Sequence, residues 1–543
     1  MMNDQQDMNK RIFIFFLVVA ILLIAFTAIQ SYLFPKKTPT EVPHQKNISN
    51  IETKENQQTS FSSPKKENNT YNTKTNISYV SGNYDLLLGS RRISADNLKE
   101  TEKIITDYGY IEISKIGGRI VSIYVNRYNI DIISQFAKKN RIFPTEIITT
   151  NPEITALLNF SKYSLEKNGN HYKFILRKGN VYVEKDFVIN PDYTVSLNIK
   201  IKGLENVGIS VISGLTLENQ GSFGHSGAII KTDKELIKLD ADIEREQIIR
   251  GNIIWAGEEN KYFLQFIATK DGFPAVHVIP VGNQNTVVLS EVTGNIIGFF
   301  FGGPKLYSLL GELTEKYKKE WNVDLALQDT IDFGIFGILG KPLFLIMHFI
   351  YNYVHNWGLT IIILTILLRI VLFPLNHKSL KAMKKMSDLA PEIQKLQKKY
   401  KDNPQKLQQE MMKLYAEHGA NPMSGCLPIL VQIPIFIALY NVLMVTVELK
   451  NVPFLWIPDL SDKDPYYILP ILMGLSMIAQ QWITPSSDKN QKMIMYIMAA
   501  VFTFMFMNFP AGLVLYWLTN NILGIIQSFI INKQLGKYDK KNG

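Results

Sequence analysis

The residues of this 543-residue chain that could do chemistry gather where charge is least expected. Residues 365–375 read TILLRIVLFPL, and Arg369 is the one charged residue in that apolar run. An ionised side chain inside a membrane-spanning helix costs a few kcal/mol or more and by default marks a functional site. Two readings of Arg369 stand side by side. Six residues separate it from Leu375, ~9 Å at helical rise, so the long side chain can snorkel to the nearer headgroups. Alternatively it lines a wet cavity. Thr365, one turn earlier, shares its helix face. Amides recur in the other apolar runs: Gln432, Asn441, Gln480, Gln481, Asn508, Asn520, Asn521 and Gln527. Any one of these can be helix–helix glue. No Asp or Glu lies within the last five apolar runs, and Glu448 and Asp464 sit at their outer edges. A cation with no counter-ion in reach favours a hydrated cavity over a dry ion pair.

The missing carboxylates argue against whole function classes. Proton- or sodium-coupled carriers place acids among their spans, and many show repeated halves; neither is present. Intramembrane proteolysis needs paired Asp, a Ser/His dyad or a His/Glu metal site, and His348 and His355 lack such partners. The single cysteine, Cys426, forms no intramolecular disulfide and no metal cluster. The pattern suits receiving something polar and acidic rather than catalysing a reaction, so no enzyme activity, cofactor or metal is expected.

The elements that must position these residues are apolar helices. A span needs roughly 20 apolar residues. Residues 12–34 qualify without a charge and carry no A-x-A cleavage signal, which reads as an uncleaved anchor after a short segment 1–11. Further spans are read at residues 357–375, 426–447, 466–483, 493–509 and 512–531. Residues 376–421 hold ten lysines against five acids, and the tail 532–543 is basic. The positive-inside rule puts both in the cytoplasm; the short segment 484–492 shares that side, and the loop 448–465 lies opposite. Both termini are then cytoplasmic and residues 35–340 outside. The net charge of +10 is mainly a topology signal, and no nucleic-acid motif is present.

Residues 35–78 hold too few large apolar residues to fold and read as a tether. Residues 79–332 read as a β-domain. Val195–Lys202 (VSLNIKIK) alternates apolar and polar; hairpins are expected about Gly179–Asn180 and about Asp271–Gly272. Many short strands without regular helices between them argue for an antiparallel β-sandwich. His171, His225 and His277, with Glu258 and Glu259, show no catalytic spacing and read as structural. Residues 333–356 read as an interfacial amphipathic helix, the alternative being one long kinked second span. In the cytoplasmic loop, Met386, Leu389, Ile393, Leu396 and Tyr400 recur at helical steps, as do Leu407, Met411 and Leu414, with KDNPQ (Lys401–Gln405) between them. This predicts an α-hairpin with lysine-rich faces, either a solvated topology determinant or a docking surface.

NPMSGCLPILVQIPIFIALY (Asn421–Tyr440), DPYYILPILMG (Asp464–Gly474), FPAGLVLYWLTNN (Phe509–Asn521) and NWG with TILLR (Asn356–Arg369) resemble the YidC membrane-protein insertase family. Its relatives include the mitochondrial oxidase-assembly and thylakoid insertases. The resemblance runs from about Phe333 to Ile531. The anchor plus β-domain layout is similar to the Gram-negative form, with FFGGPKLYSLL, ending at Leu310, the best local match there. The resemblance implies a polytopic α-helical membrane protein of the inner membrane, with six spans, a five-helix insertase core and a large extracytoplasmic antiparallel β-sandwich domain. It implies a hydrophilic inner-leaflet groove containing Arg369, Thr365 and Gln432, used without ATP or metal. Substrate contact is implied at Phe436, Met473, Met505, Tyr516 and Trp517, with Met505 and Trp517 departing from the enterobacterial Phe and Tyr. Ribosome and targeting-factor docking is implied for Lys378, Lys381, Lys384, Lys385, Lys395, Lys398 and Lys399, and cooperation with the Sec translocon for the whole. Nascent membrane proteins would be the cargo and the lipid bilayer their destination. The rivals are a small-solute permease with an extracytoplasmic binding domain and a structural envelope scaffold.

Overall fold

The structure, a computed structural model, describes residues 100–542 except 205–206, 219–223, 283, 335–336, 402, 420–426 and 484–488. The anchor expected at residues 12–34 and the tether at 35–78 lie outside the described residues.

Residues Thr101–Pro304 build the β-domain. Its first four strands form an antiparallel sheet in sequence order, and twelve more form a second antiparallel sheet. The second sheet forks at Phe263–Pro280, whose first half pairs with Ile296–Pro304 and whose second half pairs with Thr286–Val292. Strands of both branches share one buried core, in which Val195, Leu197, Val211, Ile212, Val276 and Val288 are each at most 2% exposed. The alternation in VSLNIKIK holds: Val195, Leu197 and Ile199 are buried, and Ser196, Asn198 and Lys200 less so. The turn at Gly179–Asn180 closes His171–Lys178 onto Val181–Ile189, with Lys178 opposite Val181.

The hairpin expected about Asp271–Gly272 does not form. Phe263–Pro280 runs through those residues as one strand, paired along Gln247–Glu259. The register slips between Ile253, which pairs with Phe273, and Trp255, which pairs with Ala268, and Gly272 at φ 69° lies in the extra stretch between those partners. Asp-Gly supplies a positive φ, and a β-bulge uses that as readily as a turn does. The actual turn is at Asn260, whose side chain accepts from the backbone N–H of Tyr262 and Phe263.

In chain order the helices are α1 (Gln135–Asn140), α2 (Pro152–Phe160), α3 (Tyr307–Trp321), α4 (Gly337–Val354), α5 (Trp357–Val371), α6 (Phe373–Asp388), α7 (Ala390–Lys399), α8 (Pro404–Glu417), α9 (Leu427–Val445), α10 (Ile468–Ile483), α11 (Lys489–Phe506) and α12 (Ala511–Asn542). Helix α3 lies on the β-domain, with Tyr317 stacked on Phe299 at 4.2 Å. The strap that follows is pinned to the sheet: Trp255 Nε1 donates to the Leu325 carbonyl at 2.8 Å. Among the helices, α10 packs on α11 and α12, α5 on α4 and α12, and α9 on α4.

The region read as one span at 357–375 is broken. Helix α5 ends at Val371, and α6 leaves at 61°. Pro374 lacks a backbone N–H and its ring clashes with the preceding turn, so α5 cannot continue through it. Among the described residues, Ala511–Ile531 is long and apolar enough to cross a membrane unaided, and the bent pair Trp357–Val371 with Phe373–Ala382 qualifies together. Val431–Val445, Ile468–Ile483 and Met495–Phe506 are shorter apolar helices. A 16-residue helix such as Ile468–Ile483 reaches only ~24 Å at helical rise, short of the ~30 Å hydrocarbon core.

The loop between α9 and α10 ties the two halves together. Val447, fully buried, joins the β-domain core. The Glu448 carboxylate accepts from the Tyr307 N–H at 3.2 Å and stands 3.5 Å from His348 Nε2. Helix α3 begins after Leu306, which has no side-chain cap, so Glu448 supplies the acceptor that its first turn lacks.

Candidate groove site

Arg369 occupies the last turn of α5. Its Nη2 donates to the Asn520 carbonyl of α12 at 2.8 Å. A helix carbonyl already accepting one bond keeps a second lone pair, but a neighbour can reach it only where the next turn is narrow. Gly524, one turn along α12 from Asn520, provides that clearance. A Cβ there would lie 2.5 Å from Arg369 Nη2 and 3.1 Å from Gln480 Nε2. The same relation places Gln480 of α10 beside the guanidinium.

One turn before Asn520, the Tyr516 hydroxyl is bonded to Gln432 Nε2 of α9, and Tyr516 is 1% exposed. Asn521 Nδ2 donates to Ser476 Oγ of α10 at 3.0 Å, with both residues buried. The apolar helices thus converge on a polar seam built from α5, α9, α10 and α12. Among the described residues Arg369 forms no ion pair, and its Nε–H is buried without a partner. The seam satisfies one arm of the guanidinium with a neutral dipole and leaves the charge uncompensated.

The groove and contact residues expected from sequence do not all reach the seam. Arg369, Gln432 and Tyr516 line the seam. Phe436 and Trp517 meet edge to face at 4.8 Å, half-buried, and Phe506 packs on Trp517 at 5.2 Å. Met505 is 40% exposed, whereas Met473 is fully buried. Thr365 is 1% exposed, and its hydroxyl donates to the Ile361 carbonyl of its own helix at 2.6 Å. Thr365 therefore offers the seam packing surface rather than a free hydroxyl. Sequence reasoning missed Gly524, although a lone glycine three residues after Asn520–Asn521, inside a span, signals a close approach.

On the lysine-rich hairpin, Leu389, Ile393, Leu414 and Tyr415 are buried together, with Leu396 and Met411 packed against them. Lys378, Lys381, Lys385, Lys395, Lys398 and Lys399 are exposed, while Lys384 pairs with Asp388 at 2.5 Å. KDNPQ falls at the α7–α8 junction, where Asn403 accepts from the Lys406 N–H and caps α8.

In the β-domain the candidate histidines are held by carboxylates. His277, 1% exposed, lies 2.7 Å from both Glu246 and Glu291; these acids raise its pKa against a desolvation that lowers it. Glu259 is fully desolvated yet stays ionised, because Lys305, Lys238 and His225 surround it and hold its carboxyl well below the usual range. Glu258, next in the chain and facing away, has no cation; burial pushes it up to about 8. Burial likewise pushes Lys185 down to about 7. Among the described residues no group of His, Cys, Asp and Glu is arranged to hold a metal.

Together these features define a helical membrane protein with a cationic, amide-lined cleft and a large antiparallel β-domain. The family described as 60Kd inner membrane protein matches residues 349–539, and that described as YidC periplasmic domain matches residues 102–346. The membrane protein insertase YidC of Aquifex aeolicus is 40% identical, covering 84% of this chain and 87% of its own. That of Campylobacter jejuni is 33% identical, covering 99% of both chains. A solved structure titled as an active YidC insertase with its first transmembrane domain resolved is 19% identical, covers 79% of this chain and 92% of its own, and gives a TM-score of 0.41. On the sequence relatives, the chain belongs to the YidC family of inner-membrane proteins with a periplasmic domain.

Proposed function

We propose that the protein inserts other proteins into the membrane. The observation that carries this reading is Arg369: a half-buried cation held by one backbone carbonyl, its Nε–H buried and open, with no acid beside it among the described residues. In a low-dielectric cleft such a charge attracts an acidic segment far more strongly than it would in water. The polar part of a nascent chain enters the seam, and polar lining shortens the apolar path that it must cross. The apolar part leaves along Phe436, Met505 and Trp517 into lipid, driven by burial at ~25 cal/mol per Å². No covalent step is required, and the reading needs no cofactor or metal.

In this reading both termini and the lysine-rich hairpin face the cytoplasm and the β-domain lies outside. The exposed lysines of α6 and α7 form a docking face for a polyanionic ribosome and for targeting factors, and cooperation with the Sec translocon belongs to the same scheme. The permease alternative finds no support among the named relatives, which are insertases. Depletion of the protein, followed by photocrosslinking from positions 436 and 517 to a stalled nascent membrane protein, tests the function. Adducts and an insertion defect are expected; normal insertion without adducts would sink it.

A further inference from the structure

The seam does not stop at Arg369. Helix α6 packs against α12 and α9 after the 61° bend, and among its described side chains the buried ones are both polar: Asn376 at 6% exposure and Ser379 at 2%. Helix α12, beyond the Arg369 contact, buries Gln527 and Ser528 at 7% and 2%. Polar residues thus occupy the positions where two packed helices ordinarily place apolar ones. Asn376 lies seven residues beyond Arg369, and Gln527 seven beyond Asn520. Two helical turns amount to ~10 Å along α12, so Gln527 sits that much deeper towards the chain's C-terminal end than the carbonyl holding Arg369.

Of the polar atoms left open here three are N–H donors, and the fourth, His377 Nδ1, donates in one of its tautomers. Asn376 Nδ2 and Gln527 Nε2 are buried and without a partner, as is Arg369 Nε. Buried donors are normally satisfied, and side chains serving only as interhelical glue would bond each other or a backbone carbonyl, as Asn521 does with Ser476. A row of open N–H groups suits a ligand rich in acceptors. Because the two amides are neutral, they select hydrogen-bonding capacity rather than charge. An extended polypeptide offers one carbonyl about every 3.3 Å, whatever its side chains.

We propose that Asn376 and Gln527 form a backbone-binding site at the cytoplasmic mouth of the groove, which takes up the main-chain carbonyls of an entering polar segment before Arg369 meets its charge. This rests on the groove reading above and divides the labour within it: the amides hold any polar segment, and the arginine favours acidic ones.

The test uses the full-length protein in inverted membrane vesicles, with a photocrosslinking residue at 376, 527 or 520. Stalled nascent chains carry a polar tail free of acidic residues and are lengthened one residue at a time. Adducts from 376 and 527 are expected at tail lengths about three residues shorter than adducts from 520, the ~10 Å offset divided by the rise of an extended chain. Adducts from 520 without any from 376 and 527, adducts to lipid only, or the reverse length order would overturn the proposal while leaving the groove intact. No adducts from any position would remove both. In the same vesicles the N376L/Q527L double variant is expected to slow insertion of the neutral tail about tenfold, the worth of one or two hydrogen bonds. Its ratio of acidic-tail to neutral-tail insertion stays at the wild-type value. A loss of that ratio instead would show that the amides act only by placing Arg369.

Discussion

The β-domain and the helical domain treat charge withdrawn from water in opposite ways. In the β-domain the deeply buried charges are matched or neutralised, as five cases show. Arg119 and Glu146, both fully buried, meet at 2.7 Å, and Glu259 is ringed by His225, Lys238 and Lys305. His277 bridges two glutamates. Lys185 donates to the carbonyls of Gly117 and Thr145 at 2.8 and 2.9 Å, and Glu258 keeps its proton. In the helical domain Arg369 has one carbonyl and an open Nε–H. Paired charge is what a fold needs in order to bury it. On the proposed function, the cation left unpaired in the seam is held in readiness for an incoming group.

The sharpest way to break this comparison is to remove one partner on each side. Arg119→Ala strands a fully buried carboxylate and should cost ~3–5 kcal/mol of β-domain stability, read by guanidinium unfolding followed through the fluorescence of buried Trp255. Arg369→Leu strands nothing and should change stability by less than ~1.5 kcal/mol, the net worth of a single hydrogen bond, while insertion fails. Equal destabilisation would mean that Arg369 is structural.

The second effect is pH dependence. The Glu258 carboxyl is raised from 4.5 to about 8 in the fold. A raised folded pKa means the native state holds the proton more tightly than the unfolded state. The contribution is therefore complete below pH 4.5 and is lost as pH climbs to about 8, at up to ~1.4 kcal/mol per pH unit. Glu258→Gln should flatten that slope and make the domain more stable than wild type at pH 8; an unchanged slope would mean that the carboxyl is ionised in the fold. His277 is also raised, so its contribution is full below pH 6.5 and falls as pH rises through its folded pKa. His277→Gln should remove the part of the pH dependence above 6.5, seen as a thermal midpoint that no longer declines there.

A smaller change sharpens the helical side. Gly524→Ala puts a Cβ 2.5 Å from Arg369 Nη2 and should push the guanidinium off the Asn520 carbonyl without altering charge. Insertion of acidic tails should fall several-fold, with a stability change of about 1 kcal/mol, the worth of that single bond. Wild-type insertion would mean that the carbonyl contact is dispensable.

Much of this was legible in the sequence, for physical reasons. Period-two alternation located strands such as Thr194–Lys202, and an arginine among apolar residues located the seam, because both report where side chains must go. Local geometry was less legible. Asp271–Gly272 carries the dihedral signature common to turns and bulges, and only the partner strand decides between them. Pro374 forbids a continuous α5 but does not say that the chain re-enters a helix at 61°. Thr365 shares a face with Arg369, yet its hydroxyl turns back on Ile361, a choice that β-branched hydroxyls have in any helix. Gly524 and Asn376 gain meaning only from what α12 and α6 pack against.

The central claim is that Arg369 is an unpaired cation kept for acidic cargo. It is tested most directly by comparing insertion of two otherwise identical substrates, one with an acidic and one with a neutral translocated tail, by wild-type and Arg369→Ala proteins. The substitution is expected to impair the acidic tail more than the neutral one, and Arg369→Lys to retain most of the preference. Equal impairment of both tails would contradict it.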